Sequence, residues 1–147
     1  MPEGKYLVEE MVRRQPGTLK PVTNTSGDAY PLADAMTTSV SVHDDATVLT
    51  VAGEVDLATA PALESAIEAA LGGTPATLII DLLQVSFLAS AGMAALVAAH
   101  QRAGSATRIV LVAEGPATSR QLKLTNLDQV FTLHTTLDAA LAALRQD

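Results

Sequence analysis

From Thr38 onward the chain alternates apolar and polar positions. Val40 and Val42 are interleaved with Ser39, Ser41 and His43, Asp44-Asp45 supplies a turn signal, and an apolar run resumes over residues 47–55. A period of two sends successive side chains to opposite faces of a strand, so this stretch predicts two strands joined by a tight turn. The period then lengthens. Ala60, Leu63, Ile67, Ala70 and Leu71 make a stripe at helical spacing, opened by Pro61 with Thr59 or Ala60 near the cap and closed by Gly72-Gly73, which predicts a helix with both its start and its stop. Residues 77–82 are β-branched and apolar with no charge before Asp81, the pattern of a strand buried on both faces. Asp81 is expected at the C-terminal end of that strand, and 83–89 as an irregular apolar loop. Ser90 opens the stripe Met93, Leu96, Val97, His100 that ends at Gly104, and is expected as the N-cap of a helix. A strand over 108–113, a helix over 116–124, a short strand over 129–133 and a last helix over 136–145 complete the pattern.

Strands alternating with helices across short connections call for parallel central strands and right-handed crossovers. The expected fold is α/β: a four- or five-stranded mixed sheet with an antiparallel entrance hairpin, faced by about four helices. Ser90 is then expected where a strand end feeds a helix, the edge at which open α/β sheets gather ligands and partners. The first 38 residues read differently. Gln15-Pro16-Gly17, Lys20-Pro21 and Asn24-Thr25-Ser26-Gly27-Asp28 are turn and breaker residues, so residues 1–38 are expected to be a flexible leader and 39–147 the folded domain. Within the leader, Leu7, Val8, Met11 and Val12 recur at the spacing of one short amphipathic helix.

Composition narrows what such a domain does. The net charge is −7, of which −6 falls in residues 39–147, and there are two Tyr, two Phe and no Trp. A surface short of cations and aromatic platforms does not suit nucleic acid. With no cysteine, disulfides, thiolate metal sites and thiol redox switches are excluded. The opening residues lack a secretory signal pattern and no apolar run approaches the roughly 20 residues that span a bilayer, so the expected location is the cytoplasm, without membrane insertion.

Candidate chemistry centres on Ser90. A serine at a strand-to-helix turn invites comparison with hydrolase nucleophiles, which carry glycine two residues to either side; here Gly92 is present, but Leu88 stands on the other side. His43, His100 and His134 show no ligand spacing, and neither a phosphate loop nor a dinucleotide fingerprint occurs. Glu54, Asp56 and Asp81 fall near predicted strand ends, where carboxylates could meet for acid–base chemistry or simply line a solvated loop edge. No catalytic residue, metal site or cofactor is assigned. A helix N-terminus does tolerate an added phosphate, through its free N–H groups and dipole, while the added charge alters any surface docked over it. Ser90 is therefore read either as a phosphorylation switch or as a plain cap.

Two segments carry a family resemblance: Gly53-Glu54-Val55-Asp56-Leu57-Ala58-Thr59-Ala60-Pro61, and Asp81-Leu82-Leu83-Gln84-Val85-Ser86-Phe87-Leu88-Ala89-Ser90-Ala91-Gly92-Met93. With Leu122-Lys123-Leu124-Thr125-Asn126-Leu127-Asp128 further on, they resemble the STAS domain of bacterial anti-sigma factor antagonists over about residues 40–146. The resemblance implies a domain that binds an anti-sigma factor, usually a serine kinase of the histidine-kinase-like ATPase fold, and so frees a sigma factor. It implies phosphorylation at Ser90, reversed by a PP2C-type phosphatase. It also implies a partner surface that includes Gly53, Glu54 and Asp56 together with Ala89, Ser90, Ala91, Gly92 and Met93. The family's Asp-Ser-Ser/Thr-Gly motif reads Ala89-Ser90-Ala91-Gly92 here, without the acidic residue and the second hydroxyl. A constitutive or ligand-responsive STAS module, not phosphorylated at Ser90, is the alternative.

Overall fold

The computed structural model describes residues 35–44 and 46–145. The expected leader, with its Leu7 to Val12 stripe, falls outside the described residues up to position 34. β1 (Met36–His43) and β2 (Ala46–Val55) form an antiparallel hairpin in which His43 lies opposite Ala46 and Met36 opposite Gly53. Asp44 takes the left-handed conformation, φ 54°, that a tight hairpin turn asks for and that Asp tolerates. α1 (Ala60–Gly72), β3 (Thr77–Leu88), α2 (Ser90–Ala103), β4 (Arg108–Val112), α3 (Ser119–Leu124), a 3-10 turn (Leu127–Gln129), β5 (Thr132–His134) and α4 (Leu137–Arg145) follow. The five strands lie side by side in chain order, and every pairing after the first is parallel. Among the described residues this is the expected mixed sheet with an entrance hairpin and four helices.

The alternation along the strands builds two apolar layers. Leu49, Val51, Leu78, Ile80, Leu82, Ile109 and Leu111 face one side, where Leu63 and Ile67 of α1, Leu96 and Ala99 of α2 and Leu122 of α3 close over them. Val48, Ile79, Val110 and Val112 face the other side, against Ala140, Leu137, Leu141 and Leu144 of α4. The first layer is the larger, and α2 seats in it. Arg102 and Glu68 tie α2 to α1 through an exposed ion pair, a contact of the kind that contributes little to stability.

Five local expectations are corrected. Residues 83–88 are not a loop: β3 continues to Leu88 and stays paired with β2 throughout. Its register slips twice, between the Thr50–Asp81 and Ala52–Gln84 pairs and again between Gly53–Val85 and Glu54–Phe87, so β3 carries an extra residue at each point. Each bulge resets the alternation, and Leu82, Val85 and Leu88 all enter the core at a spacing of three. Asp81 accordingly sits within the strand rather than at its end. Ser90 is the first residue of α2, and the N-cap is Ala89, with extended backbone (φ −88°, ψ 172°) and no side-chain cap bond. α3 starts at Ser119 instead of 116, because Gly115 (φ 98°) and the bond from Arg120 N–H to Gly115 O shape the preceding residues as a turn. β5 starts at Thr132, since the Gln129, Val130 and Phe131 amides donate to Asn126 and Leu127 carbonyls and not to a neighbouring strand.

Candidate functional site

The end of β2 and the end of β3 are bonded into one platform. Val55 pairs with Leu88, Glu54 with Phe87, the Ala89 amide donates to the Val55 carbonyl at 2.8 Å, and the Ser86 hydroxyl reaches Gly53 O at 3.3 Å. α2 starts immediately above, with Gly92 and Met93 amides donating to the Ala89 carbonyl at 3.0 and 3.1 Å. The two segments, more than thirty residues apart in the chain, are thereby held against each other by main-chain bonds.

Gly92 fixes how closely α2 approaches. It is buried, and a Cβ there would stand 2.5 Å from Val55 Cγ1 and 2.8 Å from Leu88 Cδ1. Its role is close helix-to-sheet packing rather than a turn. Gly53 is demanded by its backbone: φ is 102°, and a Cβ would fall 2.0 Å from the Ala35 carbonyl oxygen, a conformation and a clearance that only glycine accepts.

Asp56 is bound up in its own turn. Its Oδ1 accepts from the Ala58 and Thr59 amides at 3.0 and 3.1 Å, and its carbonyl accepts from Ala60 N–H at 2.8 Å. Thr59, 4% exposed, takes the Asp56 amide on its hydroxyl oxygen and donates that hydroxyl to Glu54 O, both at 2.9 Å. The carboxylate thus shapes the loop, an Asx-type turn that leads the chain into α1.

Of the eight residues named from the sequence, Glu54 and Ser90 are exposed, Met93, Ala89, Ala91, Gly53 and Asp56 are half-buried, and Gly92 is buried. Around them the structure adds apolar side chains that sequence reasoning did not single out as contacts: Phe87 beside Glu54, 52% exposed, and Leu57, 82% exposed. For Phe87 the signal was a large apolar residue out of phase with the core, visible only once the β3 bulges are placed, whereas Leu57 stands in the turn that follows β2. Thr125, after α3, lies 3.6 Å from the Met93 sulfur and anchors that edge.

The suggested carboxylate group does not assemble. Asp81 pairs with Thr50 and Val112, is 7% exposed, and accepts the Leu83 amide at 3.0 Å, whereas Glu54 is level with Phe87, roughly 15 Å or more along β3. His100 lies ten residues into α2, about 15 Å from its start, with its ring edge-on to Phe131 at 5.5 Å. His43 ends β1 at the hairpin, its ring 3.1 Å from the Ser41 hydroxyl. Among the described residues no cluster of His, Cys, Asp or Glu is arranged to hold a metal ion, and no helix is long and apolar enough to cross a membrane.

Comparison with known proteins matches this geometry. The STAS domain matches residues 37–140. An anti-sigma-F factor antagonist of Mycobacterium tuberculosis, RsfB, is 40% identical over 112 residues, which is 76% of this chain and 92% of the relative. The crystal structure of an anti-sigma factor antagonist from Mycobacterium paratuberculosis superposes with a TM-score of 0.73 at 48% identity, covering 76% of this chain and 96% of that one. The anti-sigma factor antagonist SpoIIAA in its unphosphorylated form shares the fold, with a TM-score of 0.61 at 17% identity over 76% of this chain and 98% of the other.

Proposed function

The chain belongs to the STAS domain family, and from that premise we propose that it is an anti-sigma factor antagonist that works by binding, with Ser90 as a phosphorylation switch. Its partner on this reading is an anti-sigma factor that is also the Ser90 kinase, of the histidine-kinase-like ATPase fold, and a PP2C-type phosphatase restores the binding form in the cytoplasm. Capture of the anti-sigma factor releases the sigma factor. The relatives at 40% and 48% identity, both named as antagonists, support the antagonist role. The observation that carries the switch is the setting of Ser90: an exposed hydroxyl on the first residue of a 14-residue helix, one residue from the β2–β3 platform.

The chemistry of that position is favourable to a phosphate. The N-cap, Ala89, has no side-chain oxygen, and the first turn of α2 has no acidic residue, so the dipole and free N–H groups face an added phosphate without a competing acceptor or a repelling neighbour in that turn. A docked partner meets a different balance. About −1.5 to −2 charges would enter a surface built from Glu54, Leu57, Phe87, Ala89, Ala91 and Met93, which is apolar with one carboxylate, and would have to be desolvated there. Gly53, Asp56 and Gly92 contribute by holding that surface in shape.

The test is a titration of an anti-sigma-F-type factor against unmodified, Ser90-phosphorylated and Ser90→Ala protein. Phosphorylation is expected to weaken binding by about 10- to 100-fold, and Ser90→Ala to keep or strengthen it. Equal affinities for all three forms would reject the switch in favour of a constitutive module, the reading that Ala89 and Ala91 favour through their departure from the family motif.

A further inference from the structure

The open flank of the sheet carries an inference that does not involve Ser90. β1 is the outermost strand, and among the described residues no strand pairs with its free side. Every second residue of an antiparallel strand turns its N–H and C=O away from the existing neighbour, so this edge carries a row of donors and acceptors that no strand among the described residues pairs. Proteins usually blunt such an edge with lysine, proline, a bulge or a very short strand. β1 uses none of these. Residues 36–42 include no charge and no proline, the register with β2 runs unbroken through eight pairs, and every residue from 37 to 43 is exposed. Val40 and Val42 stand 58% and 71% exposed, opposite Leu49 and Thr47 of β2.

We propose that β1 pairs antiparallel with β1 of a second copy of this chain, with Ser41 on the two-fold axis. In that register Val40 of each copy lies across from Val42 of the other, giving both exposed valines an apolar cross-strand neighbour. Moving the axis to Val40 or to Val42 leaves one valine facing Thr38 or Asp44. A contact of this symmetry closes on itself, so it yields a dimer and not a filament. Charge selects the place. Two chains of −7 repel one another, and β1 is an eight-residue strand without an acidic side chain. Pairing of one strand buries less than the roughly 1,200 Å² of a stable interface, so the dimer is reversible, with dissociation expected between about 10 μM and 1 mM. The axis is remote from the Ser90 surface: Ser41 pairs with Val48, seven residues or about 23 Å along β2 from the Val55 carbonyl that holds Ala89.

Sedimentation equilibrium on the full 147-residue chain, from about 10 μM to 1 mM, is expected to show a monomer–dimer equilibrium. Val40→Lys should weaken it at least tenfold with the melting temperature unchanged, since Val40 is a surface position. Val40→Lys combined with Val42→Glu should restore it, because each lysine then faces the glutamate of the other copy. The chain has no cysteine, so Ser41→Cys places one thiol per copy at the axis, where cross-strand Cα atoms 4.5–5.5 Å apart fit a disulfide. Mild oxidation is expected to cross-link Ser41→Cys and spare Ser39→Cys, whose two copies are separated by about 13 Å. A chain monomeric at every concentration, a dimer indifferent to Val40→Lys, or faster cross-linking through Ser39→Cys would each overturn the proposal. Anti-sigma factor affinity, measured on Val40→Lys, is expected to be unchanged and so reports separately on the Ser90 surface.

Discussion

At Gly92 a missing side chain sets the position of a helix. Any Cβ there meets Val55 and Leu88, whose side chains are themselves fixed in the core, so Gly92→Ala must push α2 off the platform. The expected cost is about 1–3 kcal/mol, read as a lower urea midpoint, together with weaker partner binding from a displaced Ser90. An unchanged midpoint would show that α2 can shift freely. Thr59 is a second such residue, since its hydroxyl alone links the Asp56 amide to the Glu54 carbonyl. Thr59→Val keeps the shape but strands both groups, and should cost about 1–3 kcal/mol in the same assay. The sequence made Ser90 and the residues around it legible, but not what each does. Gly92 as a packing contact and Phe87 as an exposed ring depend on neighbours more than thirty residues away, distances that are not written in local spacing, whereas the Asp56 turn closes on Ala58 and Thr59.

Between elements, β3 is where pattern reading and physics part. β1 was legible by its period of two, and β2 and the first half of β3 by their apolar runs, because one register holds there. Beyond Asp81 two inserted residues turn the period into three, a spacing shared with irregular loops and helices, so the second half of the strand could not be told from a loop. Asp81 helps hold the first bulge through its bond to the Leu83 amide. Asp81→Ala leaves that amide without its acceptor, and a loss of about 1–3 kcal/mol is expected. The sign is informative: a neutral or stabilising effect in thermal unfolding would mean that the bulge stands without the carboxylate. The helices were read more securely, since α1 and α2 carry both stripe and stop. The short α3 failed at its start, where a glycine with positive φ bends the chain before the helix can form.

For the whole molecule, the core closes at Met36, which is 7% exposed and belongs to the larger apolar layer. The expected domain boundary at residue 39 therefore falls inside a strand. Removing residues 1–34 is expected to leave the melting temperature within a few degrees, whereas removing 1–37 also takes a core methionine and the Ala35 carbonyl that abuts Gly53. Losing a buried methionine commonly costs about 2–5 kcal/mol. Equal melting temperatures for the two truncations would put Met36 outside the folding unit.

One further consequence follows from how far β3 outruns its neighbour. β4 pairs with it only from Thr77 to Asp81, while β2 accompanies it to Leu88. The upper part is thus an overhang without β4, three strands wide as far as Val85, where Gly53 still pairs with Met36, and two strands wide beyond it, and backbone groups with fewer strands around them open at lower free energy than those at the centre of a sheet. In deuterium exchange, amides of residues 82–88 are expected to lose protection at least about tenfold faster than those of 78–81; matching rates would show that the overhang opens only with the whole sheet. Because the overhang is also the floor under Ser90, its exchange clock would slow when something grips it, so the protein carries a built-in, label-free reporter of occupancy.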